Sequence, residues 1–485
     1  MSSRTDDERA WSIAAGVVVT LAAVLRLPGL NDQLWYDEIA TLVISVRHSV
    51  GAILTEFPGV NQHPLFSLLS HASVQLFGEA PWTIRLPAAV FGVAAVWAAW
   101  VAGRAWLGRA EALAAAVLLA TSSHHVWFSQ NARGYTMLAT FTLLSTVYLL
   151  RVLRGHSQRD TVLYVACAVA GVYTHLTMAF VLVAHVLTVA AAWALGNVDA
   201  RRPGVPRLLV MWAATIGLIA LVYAPYVPDL LHTFAEKAPP QAAKVATASR
   251  ASSDLLRGVT EGFGVAGLIV AMAGAIVGGL WMLRTQPLVV WLLVTPALTT
   301  VGLTAIMGQP IRPRFVFSLS GAAALFVAAG LSQIAAFAAR RLANPSPTTY
   351  GAVLLALLLA LMPGAAAALA RNAAVPKQDF AGPLALLDEE AARGTAVVGA
   401  GAICLPLQRF FERSWPCAET IDAYTPLVAA HPRTLVVHTL IEFWHDPRLI
   451  EAVTRDCRDV RRFPATLGNG EVVVCEATPR QAPSR

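Results

Sequence analysis

Eleven apolar runs, most of them near 20 residues long and almost free of charge, punctuate the chain between Trp11 and Ala370. A run of about 20 apolar residues is long enough to cross the hydrocarbon of a bilayer as a helix. Lipid offers backbone N–H and C=O groups no partner, so such a run has to be helical. The runs extend from about Trp11 to Leu27, Trp82 to Ala102, Ala110 to Ser122, Gly134 to Leu150, Thr161 to Tyr173, Thr177 to Leu195, Leu208 to Tyr226, Val259 to Leu283, Pro287 to Met307, Phe315 to Ala338 and Tyr350 to Ala370. The shorter ones must recruit flanking residues to span. Composition agrees: 13% of the residues are charged, against about 25% in soluble domains. The first run ends Leu25-Arg26-Leu27-Pro28 without a small-residue cleavage site, so it reads as a retained helix rather than a signal peptide. The expected fold is a polytopic α-helical membrane domain over residues 1–370, with about eleven transmembrane helices. A small soluble α/β domain follows over 371–485.

Short loops set the orientation. Those holding Arg104, Arg109, Arg151, Arg154, Arg159, Arg201, Arg202, Arg207, Arg284, Arg340 and Arg341 carry only three acids, Glu111, Asp160 and Asp199. Short basic loops stay cytoplasmic. An odd number of spans then puts the N-terminus inside and the C-terminal domain outside, at the plasma or inner membrane. The net charge of +7 thus reports topology and does not call for a nucleic-acid partner.

The unusual chemistry lies in the outer segments. The first, residues 28–81, is too long for a turn. Its stretch from Glu38 to Phe57 suits one amphipathic helix, and Leu65 to Phe77 is too short to span and suits an interfacial helix. Trp35, Tyr36 and Trp82 fit the headgroup level. Asp37-Glu38 can supply a general base or a cation ligand, or simply cap the helix that follows. His63 before Pro64 reads either as a site residue or as a helix start. Between the third and fourth spans, after His124 and His125, lies Phe128-Ser129-Gln130-Asn131-Ala132-Arg133-Gly134-Tyr135. Arg133 at this helix mouth can grip a phosphate or snorkel to lipid headgroups. Arg312 and Arg314 enter the tenth span from the outer side, against the positive-inside trend, which an anion would explain; Arg85 belongs to the same class. His175, in another short outer turn, reads as structural.

In order, Trp35-Tyr36-Asp37-Glu38, His63-Pro64-Leu65, Arg85-Leu86-Pro87, the segment Phe128 to Tyr135, and Arg312-Pro313-Arg314-Phe315 resemble the membrane glycosyltransferases of the GT-C superfamily. The branch resembled is that of the dolichyl-phosphate-mannose–protein mannosyltransferases and the bacterial lipid A aminoarabinose transferase, over roughly residues 10–370. His-Pro-Leu stands where His-Pro-Pro is common, and Asn131 where an acid is frequent. The resemblance implies transfer of a sugar from a polyprenyl-phosphate-linked donor to a lipid, glycan or protein acceptor at the outer face, with inversion. Asp37 is then the expected base, with Glu38 orienting it or taking part. Arg133, Arg312 and Arg314 are expected to stabilise the departing phosphate, with His63, Arg85 and Tyr135 also on the substrate. No cofactor is required by these residues, although a divalent metal near Asp37, Glu38 and His63 is compatible with the resemblance.

A second outer segment, from Pro228 to about Arg257, contains Lys237, Lys244 and Arg250 and reads as a cover over the site or a plain solvent loop. In the C-terminal domain, helices are expected over Asp379 to Arg393, Leu405 to Arg413 and Asp446 to Asp456. Strands are expected over Thr395 to Gly399, Thr434 to Thr439 and Glu471 to Cys475. Asp379, Glu442, His445 and Asp446 are surface polar groups that can also meet an acceptor. Cys404, Cys417, Cys457 and Cys475 all fall here; an outer location permits disulfides, and four cysteines allow three pairings. Cys167 lies within a span.

Two other functions fit a chain of this class. A lipid or sugar transporter typically shows internal repeats or helices broken at the midplane; no clear repeat is visible and the polar residues concentrate in outer segments. A non-catalytic scaffold would carry the same helices with an inert site. The orientation is directly testable. A cysteine placed at Gly204 should react with a membrane-impermeant thiol reagent only from the cytoplasmic side, and one at Ala246 only from the opposite side; the reverse pattern would invert the topology.

Overall fold

In the computed structural model, which describes residues 2–59, 62–155, 157–236, 241–307, 313–342 and 346–477, every apolar run lies on a helix. Seven helical segments are long and apolar enough to cross a membrane: Pro81–Trp106, Tyr135–Leu153, Val205–His232, Thr260–Thr285, Pro287–Ile306, Arg314–Arg341 and Pro347–Ala374. The remaining runs fall on Ser2–Val24, Arg109–Thr121, Gln158–Thr174 and Met178–Ala194, which are shorter or carry a charged end. The chain is a multi-pass membrane protein. It divides into two compact units, one of Met1–Leu30, Ser49–Glu79 and Thr83–Leu369, the other of Asn31–His48, Ala80–Trp82 and Ala370–Arg485.

The helical unit is built around Tyr135–Leu153, whose apolar stretch is 78% buried, whereas Val205–His232, Thr260–Thr285 and Pro347–Ala374 are 22% buried and form the lipid-facing periphery. Hydrocarbon gives apolar side chains no reason to leave lipid for protein, so such helices associate through close packing and interhelical hydrogen bonds. Both are present. Ala95, Ala98, Ala99 and Ala102 meet Ala114, Ala115 and Ala116 in the core. Where the helix ending at Thr285 crosses Ser320–Arg341, a Cβ added to Gly278 would fall 2.7 Å from Gly330 N. Only glycine allows that approach. Thr136 and Thr140 Oγ1 donate across to the carbonyls of Ala88 (2.8 Å) and Phe91 (2.9 Å) on Pro81–Trp106.

The stretch between Glu38 and Phe57 is not the single amphipathic helix expected from its pattern. It breaks into Tyr36–Thr41, a π-helical turn Leu42–Val46, and Val50–Thr55. Ser49 starts the last piece, its Oγ accepting from Ala52 N at 3.2 Å. The break coincides with the boundary between the two units: the residues before it pack in one, those after it in the other. The interfacial helix expected over Leu65 to Phe77 is present as Pro64–Phe77, with Pro64 in the first turn and Gly78 at φ 85° ending it. In the second long segment, Val227–Glu236 is helical and a helix resumes at Gln241; Lys237 lies outside the described residues, and the side chains of Lys244 and Arg250 are likewise not described.

The soluble unit holds a five-stranded sheet, β1 (Ala396–Ala400), β2 (Cys417–Ala418), β3 (Thr434–His438), β4 (Cys457–Phe463) and β5 (Val472–Ala477), in the order β2-β1-β3-β5-β4. β1 runs parallel to β2 and β3, and β5 is antiparallel to β3 and β4. Val398, Ala400, Val436 and Cys475 meet Tyr424, Leu449 and Val453 from the covering helices Ile421–Ala429 and Pro447–Asp456. Asp446 caps the latter: one carboxylate oxygen accepts from Arg448 N and the other from Ile421 N, both at 2.9 Å. The expected helix over Leu405 to Arg413 closes early, as Cys404–Arg409. β4 has no apolar alternation to betray it: five of its seven residues are exposed, and the run Arg458-Asp459-Val460-Arg461-Arg462 lines a sheet edge. Charge on an edge strand discourages pairing with another chain.

Of the three pairings open to the four cysteines, Cys404–Cys417 and Cys457–Cys475 are formed. The first joins the helix after β1 to edge strand β2, the second joins β4 to β5. Non-reducing peptide mapping should therefore yield these two cross-linked pairs and no Cys404–Cys457 or Cys404–Cys475 peptide. Replacing Cys457 and Cys475 together by Ser should cost the domain about 2–4 kcal/mol, the usual effect of opening a short loop, read as faster proteolysis of residues 371–477.

Candidate active site

One end of the helical unit gathers most of the residues singled out in the sequence. His63 caps the N-terminus of Pro64–Phe77, Arg133 and Tyr135 stand at the start of the central helix, His175 ends Gln158–Thr174, and Arg314 opens the segment Arg314–Arg341. Their rings are in contact. His63 lies 4.9 Å from Tyr135 and 4.7 Å from His175, centroid to centroid, and Tyr135 lies 5.9 Å from His175. Arg133 sits over the Tyr135 ring at 5.9 Å and Arg314 over Phe315 at 6.0 Å. Phe128 packs edge-on against Tyr135 and stacks on Phe317 at 4.2 Å. This close approach depends on Gly134: a Cβ there would lie 2.7 Å from Thr174 Cγ2 and 2.9 Å from His63 Nδ1.

The electrostatics follow from burial. The imidazole of His63 is held well below its ordinary value, first by loss of solvent and then by the charges of Arg133, His175 and Arg314; the Thr174 carbonyl pulls weakly the other way. His175 is pushed down to about 3 by burial and by the same two arginines. Both imidazoles are therefore neutral at physiological pH, and the cations of the cluster are the arginines. Among the described residues, neither ring nitrogen of His63, nor His175 Nε2, nor Tyr135 Oη makes a well-formed hydrogen bond, although all are buried. Buried polar atoms without partners are costly, and a polar ligand would satisfy these. Helix N-termini at His63, Gly134 and Arg314 add partial positive charge at the same end.

The remaining residues of this motif work as supports. Ser129 Oγ accepts from Arg26 Nε at 3.0 Å, and the Gln130 side-chain amide donates to the Arg26 and Pro28 carbonyls. Arg26, at the end of the first span, is buried; its other nitrogens reach the carbonyl of Ala22 at 2.6 Å and His125 Nδ1 at 2.7 Å. Nothing in the chemistry of the sequence marked Arg26 beyond its place at the end of an apolar run. Arg85, expected on the substrate, is fully buried and its Nη1 donates to the carbonyls of Gly29 and Leu30, both at 2.9 Å. That geometry ties down the start of the first loop. Arg312 lies outside the described residues.

Asp37 and Glu38 belong to the soluble unit. Asp37 is half-buried on the one-and-a-half-turn helix Tyr36–Thr41, and its carbonyl accepts from Thr41 Oγ1 at 2.7 Å. Glu38 is fully buried. One of its oxygens accepts from Trp35 N at 3.2 Å, closing the helix start back on itself, and the other lies 4.0 Å from Lys377 Nζ. Glu38 thus holds the turn that carries Asp37 in shape. The Tyr36 phenol is pushed above its ordinary value by burial and then by the negative charges of Asp37 and Glu419. Among the described residues no group of three or more His, Cys, Asp or Glu side chains is placed to hold a metal ion. Asp379 accepts from Gly382 N and Gln33 Nε2 within the same unit, and Asp446 is the helix cap described above.

Comparison with known proteins accords with this architecture. Residues 61–228 match the family model for dolichyl-phosphate-mannose-protein mannosyltransferase. No curated protein matches the chain by sequence. Among solved structures, ArnT from Cupriavidus metallidurans in the apo state superposes with a TM-score of 0.54 at 14% identity, covering 99% of this chain and 100% of that one. The same protein bound to undecaprenyl phosphate gives 0.54 at 15% identity, covering 98% and 99%. The archaeal oligosaccharyltransferase AglB from Archaeoglobus fulgidus, in complex with an inhibitory peptide and a dolichol-phosphate, gives 0.59 at 12% identity, covering 98% of this chain and 75% of that one. Over nearly its whole length the chain thus shares its fold with these membrane proteins, and over residues 61–228 it is similar in sequence to the mannosyltransferase family model.

Proposed function

We propose that the protein transfers a sugar from a polyprenyl-phosphate-linked donor to an acceptor at the extracytoplasmic face, with inversion at the anomeric carbon. The observation that carries this reading is the convergence of Arg133 and Arg314 on the His63–His175–Tyr135 cluster at one end of the helices. Two guanidinium groups beside two imidazoles whose protonation is disfavoured, first by burial, form a compact anion receptor. A phosphate tethered to a prenyl chain would reach it from lipid.

In the proposed reaction an acceptor group attacks the anomeric carbon as the bond from that carbon to the phosphate oxygen breaks. Asp37 takes the acceptor's proton, since a hydroxyl is a poor nucleophile until a base draws it off. Polyprenyl phosphate leaves with the bonding electrons, and Arg133 and Arg314 offset the charge it gains through charge-assisted hydrogen bonds. The neutral imidazoles and the Tyr135 hydroxyl complete the polar lining. One carboxylate base suffices for a direct displacement, so a second catalytic acid of the glycosidase kind is not needed.

Two substitutions separate the roles. Asp37→Asn should lower turnover by about 10²–10⁴-fold, the usual contribution of a positioned base, with donor affinity nearly unchanged; full transfer by the purified variant would remove Asp37 from the chemistry. Arg314→Ala should weaken binding of a polyprenyl-phosphate sugar by about 10–100-fold, the loss of one charge-assisted contact, with the thermal midpoint preserved. Unchanged donor affinity would remove the anion-receptor role. Absence of transfer or donor hydrolysis across a panel of polyprenyl-phosphate sugars would refute the enzymatic reading itself.

A further inference from the structure

The segment Pro376-Lys377-Gln378-Asp379-Phe380, which enters the soluble domain, is bonded to the loop that carries Asp37 at every turn. Gln378 is fully buried. Its Oε1 accepts from the Tyr36 backbone N–H at 3.0 Å, and its Nε2 donates to Thr439 Oγ1 at 2.7 Å. Thr439 Oγ1 in turn donates to the Glu471 carbonyl at 2.9 Å. A continuous hydrogen-bonded chain thus runs from the peptide before Asp37 to the end of β3 and the start of β5. A second glutamine returns the gesture: Gln33 Oε1 accepts from Phe380 N (3.0 Å) and Ala381 N (3.2 Å). Lys377, itself largely buried, sits 4.0 Å from the buried carboxylate of Glu38. The Lys377 carbonyl accepts from Leu467 N at 3.1 Å, and the Pro376 carbonyl from Thr466 N at 3.0 Å. At the far end of the loop, Arg47 Nη1 donates to the Arg409 carbonyl at 3.2 Å and its guanidinium covers the Phe410 ring.

The place of this contact in the sheet is informative. β1 lies between β2 and β3, all parallel, so the connections leaving the carboxyl ends of β1 and β3 diverge to opposite sides. Such a divergence opens a crevice where open α/β sheets ordinarily bind their ligands. Here Thr439, the residue after β3, presents its hydroxyl to Gln378, and through Gln378 to Tyr36. The binding position of the sheet is filled by the chain's own active loop.

We propose that Lys377 and Gln378 are positioning residues for the reaction, and that the C-terminal domain serves as the clamp that sets the direction of the Asp37 carboxylate. The proposal rests on the reading of Asp37 as the base. Gln378 fixes the backbone of Tyr36, one residue before that base. Lys377 Nζ sits 4.0 Å from one oxygen of Glu38 while the other accepts from Trp35 N and holds the turn, so Lys377 supports the charge on which that cap depends. Misplacing a catalytic group by about 1 Å can cost about 10²-fold in rate, so loosening this clamp should act on turnover.

The test is steady-state transfer by the full-length protein in lipid, with a polyprenyl-phosphate sugar as donor, and with donor affinity and thermal midpoint measured alongside. Gln378→Ala should lower kcat by about 10–100-fold while the donor KM stays within about twofold. Lys377→Met should shift the acidic limb of the kcat–pH profile to higher pH, because losing a cation beside a buried carboxylate favours its protonation; Lys377→Arg should restore the limb. A residue that only supports folding would lower the midpoint and leave that limb in place. Thr439→Val removes one link and little volume, so it serves if Gln378→Ala does not fold, and should lower kcat several-fold. Wild-type kcat and pH profile in Lys377→Met together with wild-type kcat in Thr439→Val would overturn the clamp. Retained turnover in Asp37→Asn would instead overturn the reading beneath it.

Discussion

Hydrocarbon supplies no hydrogen-bond partner, and the rest of this structure follows from that constraint. Every apolar run must close its backbone bonds within a helix. The helices can then hold together only through close packing and a few shared hydrogen bonds, which is why Gly278 meets Gly330 and why alanines crowd the core beside Pro81–Trp106. Polar chemistry inside the lipid is expensive, so it is displaced to helix ends and loops. The buried cluster of His63, Arg133, Tyr135, His175 and Arg314 accordingly comes from short connections at one end of the helical unit, from several parts of the chain.

The displaced cations are handled in two ways. Arg26 and Arg85 are buried and are satisfied by carbonyl oxygens, a serine hydroxyl and an imidazole. They stiffen the connections that bear the site. Arg133 and Arg314 instead lie beside a pair of histidines whose protonation is disfavoured first by burial and then by these two charges. The two imidazoles cannot compete for an anion as cations, and they stay available as neutral donors or acceptors. One residue type thus braces loops in one place and lies beside a buried pair of imidazoles in another. What separates the two is the neighbour each guanidinium meets.

The soluble domain shows a comparable economy. Its sheet has a divergence point of the kind that elsewhere receives ligands, yet Gln378 lies against it and carries the bond onward to the Asp37 loop. Its exposed edge is protected by the charged strand Cys457–Phe463 and its short edge strand is pinned by Cys404–Cys417. A domain appended after the last membrane helix therefore includes residues from the first loop of the chain, some 340 positions earlier.

The sequence by itself determined the membrane class, the helical character of its apolar runs and the ordered motifs that resemble the GT-C enzymes. Each of these is a local signal: about twenty apolar residues, a proline or glycine at a boundary, a charged pair beside an aromatic. It also placed His63, Arg133, Tyr135 and Arg314 at helix mouths. The tertiary structure alone decided which of them meet. His175 reads as an ordinary turn residue until folding brings it 4.7 Å from His63. Only the fold shows that Glu38 is buried and accepts from Trp35 N, and that Arg85 is buried and donates to the Gly29 and Leu30 carbonyls. The cysteine pairing, the strand Cys457–Phe463 and the bond from Gln378 to Tyr36 were equally illegible, because each depends on residues far apart in the chain or on an edge that has no apolar pattern. Helices in lipid are dictated by short-range backbone chemistry, whereas charge state and partnership depend on burial and neighbours that exist only in the folded chain.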